Sequence, residues 1–345
     1  MTRPPDRVGG AGRRRDVLRR RTASIGGVAL VAATLTVAFV PLVAVAVIVD
    51  LVRLRSRLPI TRLLCFGVCW AWLELAGVVA AAGLWLTFRS RDLDAHYRLQ
   101  RWWADRLQET LRATCGVSVQ VEGIDALRPT PTVLLVRHAS LADSLLTAWV
   151  VAQQAGLHPR VVLKRELLAD PCLDIVGNRL PNCFLDRQAE DSSPGLAAVE
   201  HMGATMASDD VSIIFPEGTR ANDGKRRRAL ERITERDPAR AARLAPLDHL
   251  LPPRPAGTRA LLQGASRSVG PGRSAEVVVG WHAGFDGLDT FAGILRQLGR
   301  PATTVRMCLE RVDGPSALDA DSVERWLDEL WLRTDAEVDL LLNRR

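Results

Sequence analysis

Three polar clusters follow one another between residues 133 and 220, and their residue types indicate acid–base chemistry beside an anion-binding site. In order, they are Arg137-His138-Ala139-Ser140-Leu141-Ala142-Asp143, Phe184-Leu185-Asp186-Arg187 and Phe215-Pro216-Glu217-Gly218-Thr219-Arg220. A histidine with a nearby carboxylate can act as a base whose second ring nitrogen is held in place. The other two clusters end in arginine, which binds phosphate through two parallel hydrogen bonds. The sequence therefore predicts chemistry on a hydroxyl of a phosphorylated substrate.

The spacing of His138 and Asp143 predicts a turn between them. On one continuous helix, two side chains five residues apart would point about 140° away from each other. We therefore expect a loop from His138 to Ala142, after a strand that ends at Val136, with Asp143 near the start of the next helix. This arrangement would place the histidine at an edge of the sheet, where catalytic loops of α/β domains are commonly found.

The clusters resemble the motifs of the glycerolipid acyltransferases, in particular the 1-acyl-glycerol-3-phosphate acyltransferase family. His138 and Asp143 match its first motif, and Phe184 to Arg187 match the end of its second. Residues 215–220 are identical to its Phe-Pro-Glu-Gly-Thr-Arg motif. A fourth, proline-centred motif is similar to Leu251-Pro252-Pro253-Arg254 followed by Gly257. The four motifs occur in the family's order and spacing, and the resemblance covers roughly residues 97–340.

This resemblance implies a role for each matching residue. His138 would be the general base that removes the proton of an acceptor hydroxyl, and Asp143 would hold its other ring nitrogen. The substrate-binding residues would be Lys164, Arg187, Glu217, Gly218, Thr219 and Arg220. Among them the two arginines would bind the phosphate, with the lysine as a third cation. Glu217 would either orient Arg220 or bond the acceptor hydroxyl.

The predicted function is a membrane-bound O-acyltransferase. It would move a fatty acyl group from acyl-CoA or acyl-acyl carrier protein, as co-substrate and without a cofactor or metal, to 1-acyl-glycerol-3-phosphate, which gives phosphatidate. Arg137 departs from the family, which usually has asparagine there, so another lysophospholipid or a lyso-aminolipid remains an alternative acceptor. A non-catalytic lipid-binding membrane protein is a second alternative. A hydrolase using His138 and Ser140 is disfavoured, because residues so close in sequence do not easily align hydroxyl and imidazole.

Charge distribution argues against a nucleic-acid partner. The net charge is +7, but residues 1–62 alone contain twelve arginines and three aspartates, so the rest of the chain is slightly acidic. The basic residues therefore flank the apolar segments and do not form a binding face on the globular part. The six cysteines lack metal-ligand spacing and are interpreted as reduced side chains in a cytosolic setting.

Two apolar segments near the N-terminus predict a membrane hairpin. Residues 25–49 contain no charge, and residues 63–88 contain only Glu74, whereas about 20 apolar residues suffice to span a bilayer. Eight arginines precede the first segment and four follow the second, so the positive-inside rule places the C-terminal domain in the cytoplasm. The four arginines of the connection leave a shallow hairpin open as an alternative. A twin-arginine secretory signal is disfavoured, because the first apolar run is far longer than a signal sequence needs and a second run follows it directly.

The rest of the chain alternates β-rich runs with helical stretches, which predicts a mixed α/β sheet covered by helices. The predicted strands are 117–121, 132–136, 160–163, 211–215, 276–279 and 303–309. Residues 223–243 are expected to form a solvated helix, residues 264–273 a surface connection, and residues 323–331 an amphipathic helix with Ser322 as a possible N-cap. The expected organisation is a basic tail (1–24), a membrane hairpin (25–89) and an acyltransferase domain (90–345).

Overall fold

The computed structural model describes residues 10–140, 142–186, 191–270, 274–285, 291–300 and 303–343. The chain divides into two compact units. The first consists of the residues up to 116 together with 163–191, and the second consists of 117–162 together with 192 onward.

Four helices form most of the first unit: α1 (Gly10–Val37), α2 (Phe39–Val52), α3 (Pro59–Leu86) and α4 (Leu93–Thr110). Asp50 near the end of α2 is fully buried, and its carboxylate accepts the main-chain N–H groups of Ile60 and Thr61 at 3.1 and 3.0 Å. These N–H groups have no partner within α3, so the aspartate stabilises the start of that helix.

The first apolar segment is bent where the sequence predicted one continuous stretch. The helices Arg15–Val37 and Phe39–Val52 meet at an angle of 72°. Pro41 explains the break, because its ring clashes with the carbonyl of Val37 and it has no N–H to donate. Among the described residues, α3 is the one helix long and apolar enough to cross a membrane, and the bent pair is either a broken span or a re-entrant loop.

The apolar surface of these helices is largely uncovered. Only 22% of the most apolar window of α3 is buried. Large exposed side chains include Leu30, Val37, Val40, Ile48, Leu51, Val79, Trp85 and Phe88. Exposed apolar surface of this extent is typical of segments that contact a membrane or another protein.

The strands are β1 (Val117–Glu122), β2 (Thr132–Val136), β3 (His158–Lys164), β4 (Cys183–Leu185), β5 (Asp210–Ile214), β6 (Glu276–Ala283) and β7 (Thr303–Val312). They form one sheet in the order β1-β7-β6-β2-β5-β3-β4. β6 and β7 are antiparallel, whereas β1 and β7, β2 and β6, β2 and β5, and β3 and β5 are parallel. The mixed α/β sheet predicted from the sequence is therefore confirmed.

β2 lies near the middle of the sheet, and all five of its residues are buried. Its Leu134 pairs with Ile213 of β5 on one side and with Val278 of β6 on the other. A continuous apolar strand is what a parallel sheet with helices on its faces requires.

The helices of the second unit are α5 (Asp143–Trp149), α6 (Ser193–Ala204), α7 (Asp223–Thr234), α8 (Pro238–Leu244), α9 (Pro255–Ser268), α10 (Phe291–Leu298) and α11 (Ala320–Asn343).

Three local predictions were wrong. Gly264 lies inside α9, because α6 crosses there so closely that a Cβ on this glycine would overlap the carbonyl of Glu200. Residues 223–243 form two helices, since the Asp237 side chain caps a new helix at Pro238. α11 begins before Ser322, and the main-chain N–H of that residue donates to the carboxylate of Asp319 at 2.9 Å.

Candidate active site

The parallel arrangement of β2, β5 and β6 brings the ends of three strands to one edge of the sheet. His138 follows β2, Glu217 follows β5, and His282 lies in the last residues of β6. Carboxyl ends of parallel strands are where α/β folds commonly place their sites. This edge, in the second unit, contains most of the predicted site residues.

His138 and Asp143 are in direct contact. Nδ1 of the histidine lies 2.9 Å from Oδ2 of the aspartate, and residues 137–140 form the intervening non-helical segment before α5 begins at Asp143. The His138 side chain is 14% exposed, and its Nε2 has no hydrogen-bond partner in the described parts of the chain. The ring also lies 4.8 Å from the ring of Phe215, centroid to centroid. The free nitrogen is therefore held in place and open to a ligand.

Asp143 is fully buried and saturated with donors. Its Oδ2 accepts the main-chain N–H groups of Ala139 and Ser140 at 2.6 and 2.7 Å, and its Oδ1 accepts the Ser140 hydroxyl. Burial raises the pKa of Asp143, but the charge of His282 and the hydrogen bond from His138 outweigh it and hold the pKa well below its usual range. Because Ser140 is itself fully buried and donates to this carboxylate, it braces the loop and is not positioned as a nucleophile.

His282 is a second histidine on the same carboxylate, and the sequence analysis missed it. Its Nε2 lies 3.2 Å from Oδ1 of Asp143, an ion-pair distance, and its side chain is completely buried. Its Nδ1 has no hydrogen-bond partner among the described residues. In the sequence the histidine follows the β-rich run 276–279, but its place beside Asp143 depends on the parallel pairing of β6 with β2.

Arg137 is buried, with only 3% of its surface exposed. Its guanidinium donates to the main-chain carbonyl of His282, which links the loop after β2 to β6. Its burial and its bond to His282 make it part of the support of the site.

Glu217 connects two loops. Its Oε1 accepts the main-chain N–H of His138 at 2.7 Å, and its Oε2 accepts that of Leu251 at 3.0 Å. The side chain is 1% exposed, and burial raises its pKa to about 8 against the opposing effect of these two bonds. Neither bond goes to Arg220, and the two bonds together join the histidine loop to the loop at Leu251.

Gly218 and Thr219 form the turn that follows. Gly218 has φ +70°, in the left-handed region that favours glycine, and its N–H donates to the carbonyl of Phe215 at 3.0 Å. The Lys225 ammonium donates to the Thr219 hydroxyl at 3.2 Å and to the Arg220 carbonyl at 3.0 Å. The main chain after Arg220 then returns to the histidine loop, where the N–H of Ala221 donates to the carbonyl of His138 at 2.6 Å.

Of the remaining predicted cations, Lys164 belongs to the first unit. Lys164 is the last residue of β3 and is half-buried, while Arg187 lies outside the described residues. The site geometry therefore rests on His138, Asp143, Glu217 and the 218–220 turn. No group of His, Cys, Asp and Glu side chains suited to a metal ion occurs in the described ranges.

Comparison with known proteins finds a family match for part of the chain. Residues 118–243, which include all three polar clusters, match the family model described as acyltransferase. The matched segment contains His138, Asp143 and Glu217, whereas His282 lies outside it.

Among solved structures, the chain is similar to the 1-acyl-sn-glycerophosphate (LPA) acyltransferase PlsC from Thermotoga maritima. The two sequences are 19% identical, the alignment covers 78% of this chain and 95% of that one, and the TM-score is 0.48. No curated protein matches the sequence.

Proposed function

We propose that this chain is a membrane-bound acyltransferase that moves a fatty acyl group from acyl-CoA or acyl-acyl carrier protein to the free hydroxyl of 1-acyl-glycerol-3-phosphate. The observation that carries the proposal is the buried Asp143 carboxylate held against Nδ1 of His138, with Nε2 left open at the sheet edge. This pair lies inside the segment that matches the acyltransferase family. A lipid-binding module would require neither a fixed tautomer nor a free ring nitrogen.

In the proposed reaction, Nε2 of His138 takes the proton of the acceptor hydroxyl as its oxygen attacks the thioester carbonyl. The tetrahedral intermediate collapses by breaking its C–S bond, and the departing thiolate takes the proton back from the imidazolium. Asp143 stays ionised throughout and stabilises the charged ring. General base catalysis of this kind contributes about 10²–10⁴-fold, and positioning of the two substrates supplies the remainder.

Most predicted binding residues have a proposed part. Arg220 would hold the acceptor phosphate, and Gly218 and Thr219 would bring main chain and hydroxyl close to it, whereas Lys164 and Arg187 stay predictions from the sequence. Glu217 would act indirectly, since its two bonds fix the His138 and Leu251 loops. Its replacement should therefore reduce kcat by misplacing the histidine.

We further propose that α1–α3 anchor the protein in the membrane with the second unit in the cytoplasm. The exposed apolar side chains of these helices and the arginines that flank them support this placement. A bilayer-associated enzyme would meet an acceptor and a product that both reside in the lipid.

The test uses the purified full-length chain in detergent with acyl-CoA and 1-acyl-glycerol-3-phosphate, and it measures phosphatidate. A panel with other lysophospholipids, a lyso-aminolipid and acyl-acyl carrier protein decides acceptor and donor. We expect phosphatidate from the wild type at the highest kcat/KM of the panel. A higher kcat/KM for another acceptor would replace the proposed substrate, and failure with every pair would reject acyl transfer.

A further inference from the structure

A cavity of about 520 Å³ opens beside the turn that follows β5. Glu217 and Thr219 line it on one side, and Leu251 and Pro252 on another. Its basic lining residues are Lys225, Arg228, Arg232 and Arg254. All of them belong to the second unit, and we refer to this space as the α7 basic cavity.

Arg254 is one of three exposed arginines among these four cations. Its main-chain N–H donates to the carbonyl of Pro216 at 2.9 Å, which fixes its backbone. The guanidinium lies over Gly218, since a Cβ added there would come within 3.3 Å of Cδ and 3.4 Å of Nε of the arginine. That guanidinium forms no hydrogen bond or ion pair with any residue that the structure describes. An arginine in this state retains its full capacity to bind an anion.

The arginines of α7 are also available. Nε of Arg228 donates to the carbonyl of Gly224, and Nε of Arg232 donates to the carbonyl of Arg228, both within the helix. Neither guanidinium has a carboxylate partner among the described residues. Their terminal nitrogens therefore remain free at the cavity wall.

The acidic residues of the cavity do not cancel this charge. Glu231 and Glu235 also line it, and neither forms an ion pair within the described ranges. Glu217 is buried, and its pKa, raised to about 8, keeps it largely protonated at pH 7. Four cations against two ionised carboxylates leave a net positive lining.

We propose that the α7 basic cavity binds a phosphate ester of one of the two substrates, with Arg254, Arg228 and Arg232 as its ligands. This inference rests on the proposed acyl transfer and adds a phosphate site distinct from the one assigned to Arg220. Two sources share this chemistry: the phosphates of the coenzyme A donor and the phosphate of the acceptor lipid. Guanidinium groups bind phosphate bidentately, and Lys225, tied to Thr219, connects the cavity to the turn beside His138.

The kinetic test compares Arg254→Ala and the double variant Arg228→Ala/Arg232→Ala with wild type. Arg227→Ala is the matched control, because Arg227 lies on the same helix but lines a different cavity. A hydrogen bond to a charged group contributes enough for us to expect a rise of about tenfold in one substrate's KM for each cavity variant. Arg227→Ala should leave both KM values within about twofold of wild type.

Phosphate-free substrates identify the source. If the cavity binds the phosphates of the donor, KM for acyl-CoA rises in the cavity variants. The difference from wild type then disappears with an acyl-N-acetylcysteamine donor. If the cavity binds the phosphate of the acceptor, KM for 1-acyl-glycerol-3-phosphate rises in the cavity variants. The difference from wild type then disappears with monoacylglycerol as acceptor. Unchanged KM values in the cavity variants would overturn the proposal, as would an increase that persists with both phosphate-free substrates.

A binding measurement separates this site from the catalytic proposal. Calorimetry on the detergent-solubilised full chain, with adenosine 3′,5′-bisphosphate and glycerol 3-phosphate as probes, requires no turnover. If the wild type is inactive but binds a probe, and Arg254→Ala weakens that binding about tenfold, the cavity proposal stands and acyl transfer is rejected. Equal binding of both probes by wild type and variants would reject the cavity, whatever the activity.

Discussion

Nε2 of His282 lies 3.2 Å from Oδ1 of Asp143, so the carboxylate that holds the proposed base also faces a second, completely buried imidazole. The two histidines use different oxygens, since His138 contacts Oδ2. The charge of His282 contributes to the low pKa of the aspartate, although burial acts in the opposite direction. The second histidine would therefore act on the proposed reaction through Asp143 and not through the substrate.

For His282→Gln we expect kcat to fall by about tenfold while both KM values stay unchanged, because the residue has no surface for a substrate to contact. Steady-state kinetics over a range of pH measure this, and thermal unfolding checks the fold. His158→Gln is the control, since that ring lies 3.9 Å from Asp210 outside the site. Wild-type kcat in His282→Gln, or a change confined to KM, would contradict the positioning role.

Glu217 predicts a specific pH dependence of stability. Its pKa is raised to about 8 by burial, against about 4.3 in an unfolded chain. Between these values the folded protein keeps a proton that the unfolded chain has released, so the free energy of unfolding falls as pH rises. Glu217→Gln does not titrate and lacks this loss.

We therefore expect the thermal midpoint of Glu217→Gln, relative to wild type, to increase between about pH 5 and about pH 9. All other titrating groups are the same in both proteins, so their contributions to the thermal midpoint cancel in the difference between variant and wild type. Glu310→Gln, an exposed carboxyl paired with Arg333, serves as the control with a flat difference. A flat or decreasing difference for Glu217→Gln would mean that the glutamate is ionised in the folded protein.

Two glycine substitutions should change stability in opposite directions. Gly218→Ala places a side chain at φ +70° and should destabilise the fold by about 1–2 kcal/mol. Gly224→Ala lies in α7, where a Cβ meets nothing closer than 3.7 Å, and should stabilise by about 0.5–1 kcal/mol. Chemical unfolding monitored by circular dichroism measures both. Equal effects would show that the Gly218 turn is not strained by a side chain.

Asp335 of α11 holds the loop that contacts Glu217. Its carboxylate accepts the main-chain N–H groups of Asp248, His249 and Leu250 at 2.9, 2.8 and 2.7 Å. The next residue, Leu251, donates to Glu217, so loss of this support reaches the histidine loop.

Asp335→Ala should destabilise the protein by about 2–4 kcal/mol, because it leaves three main-chain donors, one of them buried, without an acceptor, and it should lower kcat. Asp339→Ala removes an exposed carboxylate from the same helix and should change stability by less than about 0.5 kcal/mol. Unfolding curves and kcat of the two variants, measured together, test this. Similar small effects for both would leave the loop without the proposed support.

Local sequence predicted the contact between His138 and Asp143, because it depends only on a turn of five residues. All six strands expected from β-rich runs are present, with ends that differ by up to four residues. The bonds of Glu217 were not predictable, since they join residues 79 and 34 positions apart through main-chain N–H groups that every residue possesses. His282 required the parallel pairing of β2 with β6, which strand propensity does not specify.

The measurement that tests the account most directly is a mutant cycle on phosphatidate formation with His138→Ala, Asp143→Asn and the double variant. His249→Ala is the matched control, because within the described ranges the one ion pair of its ring is with the exposed Asp339. If the two residues act as one unit, each single variant loses at least about 10²-fold in kcat and the double variant is no slower than His138→Ala. A His138→Ala variant with wild-type activity, or losses that multiply in the double variant, would contradict the claim that Asp143 works through the histidine.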